Sequence, residues 1–92
     1  MAENQREHIR FTGYVQGVGF RYRLSHLAQH YGVTGWVRNE YDGSVSAELQ
    51  GLPEEIDQII QQLKQDRYID VTGMDRKNIP PDEQENGFHI RY

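Results

Sequence analysis

The sequence predicts an α+β domain in which two helices cover one face of an antiparallel sheet, ordered β-α-β-β-α-β with a short strand added near the C-terminus. Three observations carry that prediction. Apolar residues alternate with a period of two in residues 8–15 and 44–51, as in half-buried strands. They recur every three or four residues in 20–31 and 53–63, the spacing of one helix face. Glycines, prolines and an Asp-Gly pair fall between these runs.

Each element has its own justification. HIRFTGYV at 8–15 puts Ile9, Phe11 and Val15 in the strand pattern, with Gly13 between them. From Phe20 the apolar positions become Leu24, Leu27, Ala28 and Tyr31, and Gly32 supplies a helix stop. VTGWVRN at 33–39 reads as the second strand, and EYDG ends in the Asp-Gly pair that favours a tight hairpin. SVSAELQG then turns Val45, Ala47 and Leu49 inward. Pro53 suits a first helical position, with Glu54, Glu55 and Asp57 favourable in the early turns and Ile56, Ile59, Ile60 and Leu63 as the buried stripe. Residues 68–75 form the fourth expected strand, a loop carries Pro80, Pro81 and Gly87, and FHIRY closes the chain with Phe88, Ile90 and Tyr92 alternating. This is the ferredoxin-like arrangement, a two-layer sandwich. A right-handed crossover makes its first two strands parallel, so both end at one edge of the sheet. The turn at Gln16–Gly19 and the pair Arg38-Asn39 therefore lie side by side, about 10 Å apart if the third strand runs between them.

Length and charge narrow the function. Ninety-two residues allow one core, so a single domain spans 1–92. Cysteine is absent, which removes disulfides, thiolate metal sites and thiol nucleophiles. The first ten residues are polar and no run has the length of a membrane span, so the chain is expected to be cytoplasmic, with no membrane partner. A net charge of -4 repels a nucleic-acid backbone but leaves room for a small anion at one basic site. No extended apolar surface patch is evident, and a monomer is expected.

The segment GYVQGVGFRYR at 13–23 is where such an anion fits. A helix begins inside it with no Ser, Thr, Asp or Asn cap, no acid in its first turn, and two arginines. The first N–H groups of a helix lack internal partners and carry about half a positive charge, so each misplaced cation costs about 0.3–1 kcal/mol. A bound anion removes that cost. Gly13, Gly17 and Gly19 permit positive φ, which lets the backbone of 15–19 curl into a nest of donors suited to phosphate. The competing reading is a plain strand-to-helix turn with solvated arginines. Arg21 sits in the first turn and offers a planar fork to phosphate oxygens, whereas Arg23 points about 200° away. Asn39 either begins a turn or holds a water, for which its amide has both donor and acceptor.

GYVQGVGFR resembles the acylphosphatase signature, a glycine-bounded V-Q-G-V segment followed by an aromatic residue or Met and then Arg. GWVRN followed by DGSV is similar to that family's second block, and FHIRY to its C-terminal strand. The resemblance implies the ferredoxin-like fold and hydrolysis of the carboxyl-phosphate bond of acyl phosphates, with no metal and no cofactor. It implies that the loop from Gly13 to Gly19 cradles phosphate through Val15, Gln16, Gly17, Val18, Gly19 and Phe20, that Arg21 binds it, and that Asn39 orients the attacking water. Residues 66–75 depart from the family pattern, lacking the Gly-Ser-Pro turn common before the fourth strand.

Other residues read as structural. His26 and His30 have i, i+4 spacing but no H-E-x-x-H acid, so they and His8 and His89 are taken as solvent-facing rather than metal ligands. Trp36 is read as core, Arg38 as surface, and Tyr41 as a turn residue within reach of a substrate's acyl group. Three other functions compete. An RNA-recognition module requires stacking aromatics on its third strand, and SVSAELQG has none. A metabolite-binding regulatory domain leaves the pairing of Arg21 with Asn39 unexplained. An acylphosphatase-like domain of a carbamoyl-transfer enzyme is expected to continue into Cys-rich segments.

Overall fold

A computed structural model of the protein describes residues 3–92. Residues 1 and 2 of the single domain expected over 1–92 lie outside the described residues. The elements are β1 (Gln5–Tyr14), α1 (Phe20–Tyr31), β2 (Thr34–Asn39), β3 (Val45–Gly51), α2 (Pro53–Lys64), β4 (Asp70–Ile79) and β5 (Phe88–Arg91). The sheet order is β4-β1-β3-β2-β5. β1 and β2 both pair antiparallel with β3, so they run parallel to each other and end at the same edge. β3 lies between them, the condition for their expected spacing of about 10 Å.

One face of the sheet is apolar. Ile9, Phe11, Val37, Val45, Ala47 and Leu49 are each 0% exposed beneath the helices. Onto them pack Phe20, Leu24, Leu27 and Ala28 from α1, and Ile56, Ile59, Ile60 and Leu63 from α2. These residues carry most of the hydrophobic stabilisation, at about 25 cal/mol per Å² of apolar surface removed from water. α1 ends at Gly32, whose left-handed conformation lets its N–H reach back to the carbonyls of Ala28 and Gln29.

The structure departs from the sequence reading at several places. The closing strand β5 pairs parallel with β2, with Val37 opposite Ile90, so the sheet is mixed rather than wholly antiparallel. β1 begins three residues before the expected start, and β4 runs to Ile79 instead of stopping at 75. Both extensions have one cause: they pair with each other along an edge, where polar residues such as Lys77 and Asn78 face water and leave no alternating pattern. Trp36 is buried but lies on the sheet face away from the helices. There Arg91 stacks at 4.5 Å and Arg38 at 5.3 Å from its ring centre, and His8 meets it edge-on at 6.0 Å.

His8 is accordingly only half exposed, its Nδ1 lying 2.8 Å from Glu48 Oε2. His26, His30 and His89 are exposed as expected. On the same helix-free face Arg6 is 5% exposed. It donates to Glu48 Oε1 at 2.8 and 3.1 Å, to Gln50 Oε1 at 3.2 Å, and to both oxygens of Glu85 at 2.7 and 3.0 Å. This ties the Pro-rich 80–87 segment to the sheet.

The β2–β3 connection is longer than a two-residue Asp-Gly hairpin. Glu40 N–H donates to the Ser44 carbonyl at 2.9 Å and Gly43 N–H to the Glu40 carbonyl at 3.2 Å, so Tyr41 and Asp42 are the turn's centre and Gly43, at φ 92°, follows it. Asp42 fixes this loop. Its Oδ1 accepts from Ser44 Oγ at 2.6 Å and Ser44 N–H at 2.9 Å, and its Oδ2 accepts from Arg10.

Candidate active site

The loop between β1 and α1 is pinned at both ends by apolar side chains. Val15 is 1% and Phe20 2% exposed, and the Phe20 ring packs 4.9 Å from that of Phe11. Between these anchors Gly17 and Gly19 take φ of 73° and 80°. Among the described residues nothing lies within 4 Å of where a Cβ would stand at either, so positive φ rather than crowding calls for glycine. Gly13 differs. It belongs to β1, at a bulge, where a Cβ would stand 2.2 Å from the Asp70 carbonyl oxygen. Its smallness serves the approach of β4.

The start of α1 is as bare as its sequence. Gly19 is the N-cap, no side chain caps the helix, and no acid stands in the first turn. The first helical bond runs from Arg23 N–H to the Gly19 carbonyl at 2.9 Å, which leaves the N–H groups of Phe20, Arg21 and Tyr22 outside the helix ladder. In α2 the corresponding turn has Pro53 with Glu54 and Glu55, which suit its positive end.

A cleft of about 200 Å³ opens at this helix start, lined by Val15, Gly17, Gly19, Phe20, Arg21, Tyr22 and Asn39. It brings together the loop, Arg21 and Asn39, which the sequence separates by eighteen residues or more. Asn39 Oδ1 is buried and has no hydrogen-bond partner among the described residues. A buried acceptor left unpaired costs about 1–3 kcal/mol, so this oxygen is an exception to the usual pairing of buried polar groups. Arg21 is half-buried, with its guanidinium 4.9 Å from the ring centre of Tyr92. Arg23 points away and lies 3.6 Å from Asp66. Among the described residues no group of three His, Asp or Glu side chains converges as metal ligands do.

Two expected cradle members are used differently from their neighbours. Val18 packs partly against the core. The Gln16 side chain turns away from the cleft lining and donates through Nε2 to the carbonyls of Glu40 at 2.7 Å and Ser44 at 2.8 Å. Sequence reasoning grouped Gln16 with the phosphate donors and did not find this contact. The one signal was a long amide inside a loop otherwise made of Gly and Val. Tyr41 is fully exposed, and with Arg38, Asn39, Glu40 and Tyr92 it lines a second groove that meets the cleft at Asn39. Tyr22 and Tyr92 were not anticipated in either lining.

A glycine-shaped loop leading into an uncapped, arginine-bearing helix is the kind of backbone arrangement found in proteins that bind phosphoryl groups. The acylphosphatase family model matches residues 7–90. An acylphosphatase of Bifidobacterium longum is 42% identical over 88 residues, covering 94% of this chain and 91% of its own. One from Oceanobacillus iheyensis is 35% identical, covering 91% and 94%. The crystal structure of acylphosphatase from Bacillus subtilis superposes with a TM-score of 0.87 at 29% identity, over 96% of this chain and 99% of that one. A like unit also occurs inside a longer chain: HypF of T. kodakarensis matches with a TM-score of 0.83 at 27% identity, over 12% of its length. The chain belongs to the acylphosphatase family, and it is a hydrolase of acyl phosphates.

Proposed function

We propose that this protein hydrolyses acyl phosphates without a metal, holding the phosphoryl group on the backbone N–H groups of the 15–20 loop and on Arg21, with the attacking water held by Asn39. The observation that carries this reading is the buried, unpartnered Oδ1 of Asn39 in the same cleft as the uncapped start of α1. Water oxygen attacks phosphorus as the bond from phosphorus to the acyl oxygen breaks, giving inorganic phosphate and a carboxylate. The carboxylate's conjugate acid has a pKa of about 4, so it leaves without a general acid. Asn39 Oδ1 accepts a hydrogen bond from one O–H of the water, a bond that stays intact, and thereby aims a lone pair of the water oxygen at phosphorus. The other proton passes to a phosphoryl oxygen of the substrate. Charge gathering on the equatorial oxygens is met by N–H dipoles of the loop and by the Arg21 guanidinium, which is where the acceleration comes from.

A phosphate monoester leaves as a poor alkoxide, and this site offers it no acid. The test is therefore hydrolysis of benzoyl phosphate beside p-nitrophenyl phosphate, by the wild type and Arg21→Ala, with and without EDTA. Turnover of benzoyl phosphate alone, unchanged by EDTA and abolished in folded Arg21→Ala, is the expected result. Near-normal turnover by that variant, or dependence on added metal, overturns the reading.

A further inference from the structure

The two halves of the cleft are joined by one side chain. Gln16 stands in the phosphate loop, while Glu40 and Ser44 flank the turn that follows Asn39. Its Nε2 donates to both of their carbonyls, at 2.7 and 2.8 Å. Only the NH₂ end of a carboxamide can face two carbonyl oxygens, so this contact fixes which way the amide points. Both of its protons are committed, which leaves none for a phosphate.

The turn does not depend on this contact for its shape. Ser44 carbonyl also accepts from Glu40 N–H, Glu40 carbonyl also accepts from Gly43 N–H, and Asp42 and Arg10 hold Ser44 from the other side. The loop likewise has its own apolar anchors in Val15 and Phe20. Beyond the sheet ladders, Gln16 is the side chain that hydrogen-bonds the loop directly to the turn among the described residues. We infer that Gln16 is a positioning residue for hydrolysis: it sets the distance between the cradled phosphorus and the water held by Asn39, and it is not itself a phosphate ligand. The inference rests on the role given to Asn39 above.

A displacement of about 1 Å between reacting groups is enough to lower a rate about 10²-fold while ground-state binding barely changes. Gln16→Met keeps the length of the side chain and removes its donors. It should lower kcat for benzoyl phosphate by about 10- to 100-fold, with the inhibition constant of inorganic phosphate within about threefold of wild type. Its thermal midpoint should fall by only a few degrees, because each element keeps its own bonds. In an Asn39→Ala background the same substitution should change kcat by less than about twofold, since the water it aligns is no longer held.

Gln16→Glu, which keeps the side-chain shape, is the second variant for the same measurements should the Met form not fold. Three outcomes overturn the inference: kcat of the folded variant within twofold of wild type, phosphate affinity falling in step with kcat, or losses that multiply in the double variant. The last leaves the role of Asn39 standing. Normal kcat in Asn39→Ala alone removes the reading of the site itself.

Discussion

Asn39 shows how little a residue's type says about its role. At the end of a strand it suits a turn, and in the fold it does precede one, but it also lines the cleft and its buried Oδ1 has no hydrogen-bond partner among the described residues. If Asn39 orients the water as proposed, removing the amide should lower kcat by about 10²–10³ with a smaller effect on KM. Steady-state kinetics on benzoyl phosphate checks this. Gly13 makes the opposite case. It was legible as a loop glycine, yet its surroundings are the Asp70 carbonyl and the Thr72 N–H of β4. Gly13→Ala should therefore destabilise the fold by about 2 kcal/mol or more, through backbone strain and overpacking, and shift the urea midpoint. Phosphate affinity of the folded fraction should change little.

Among the elements, the β2–β3 turn has a pH dependence of its own. The Ser44 hydroxyl, the Ser44 N–H and Arg10 together lower the pKa of Asp42 from 3.8 to about 2. A depressed carboxylate stabilises the fold above its unfolded pKa and loses that contribution as pH falls through the folded value. The gap in urea midpoint between wild type and Asp42→Asn should thus be present at pH 5 and close between about pH 4 and 2. A gap that persists at pH 2 counts against this brace. Sequence pattern located the turn through its Asp-Gly pair but not its length, because the Glu40–Gly43 and Glu40–Ser44 bonds depend on how β2 and β3 align. The same limit applied to β4. Its DRKN stretch has no strand alternation, and only pairing with β1 makes it a strand.

At the scale of the molecule, the helix-free sheet face is where charge rather than apolar area organises the fold. Arg6 is buried and pairs with the partly exposed carboxylates of Glu48 and Glu85, with Gln50 and His8 completing the network. Burial raises the pKa of Glu48, but the hydrogen bonds from His8 and Arg6 outweigh it and the carboxyl stays below its usual range. Deleting one member strands the others. Arg6→Ala should cost about 3–5 kcal/mol, measured by urea denaturation, whereas exposed pairs such as Arg38 with Glu40 are worth about 0–1 kcal/mol. No sequence periodicity announces this network, since Arg6 and Glu85 are 79 residues apart.

Taken alone, the sequence determined the element order, the apolar stripes of both helices, and a helix start without a side-chain cap or an acid in its first turn. These are local properties, set by spacings of two to four residues and by glycines that free φ. The tertiary structure decided the rest: the parallel pairing of β5 with β2, the place of Trp36 outside the helix–sheet core, the service of Gly13 to β4, and the hold of Gln16 on the Asn39 turn. Each of these depends on which backbone or side chain arrives opposite a residue from far along the chain. That choice is made by sheet order and register, which no local spacing encodes.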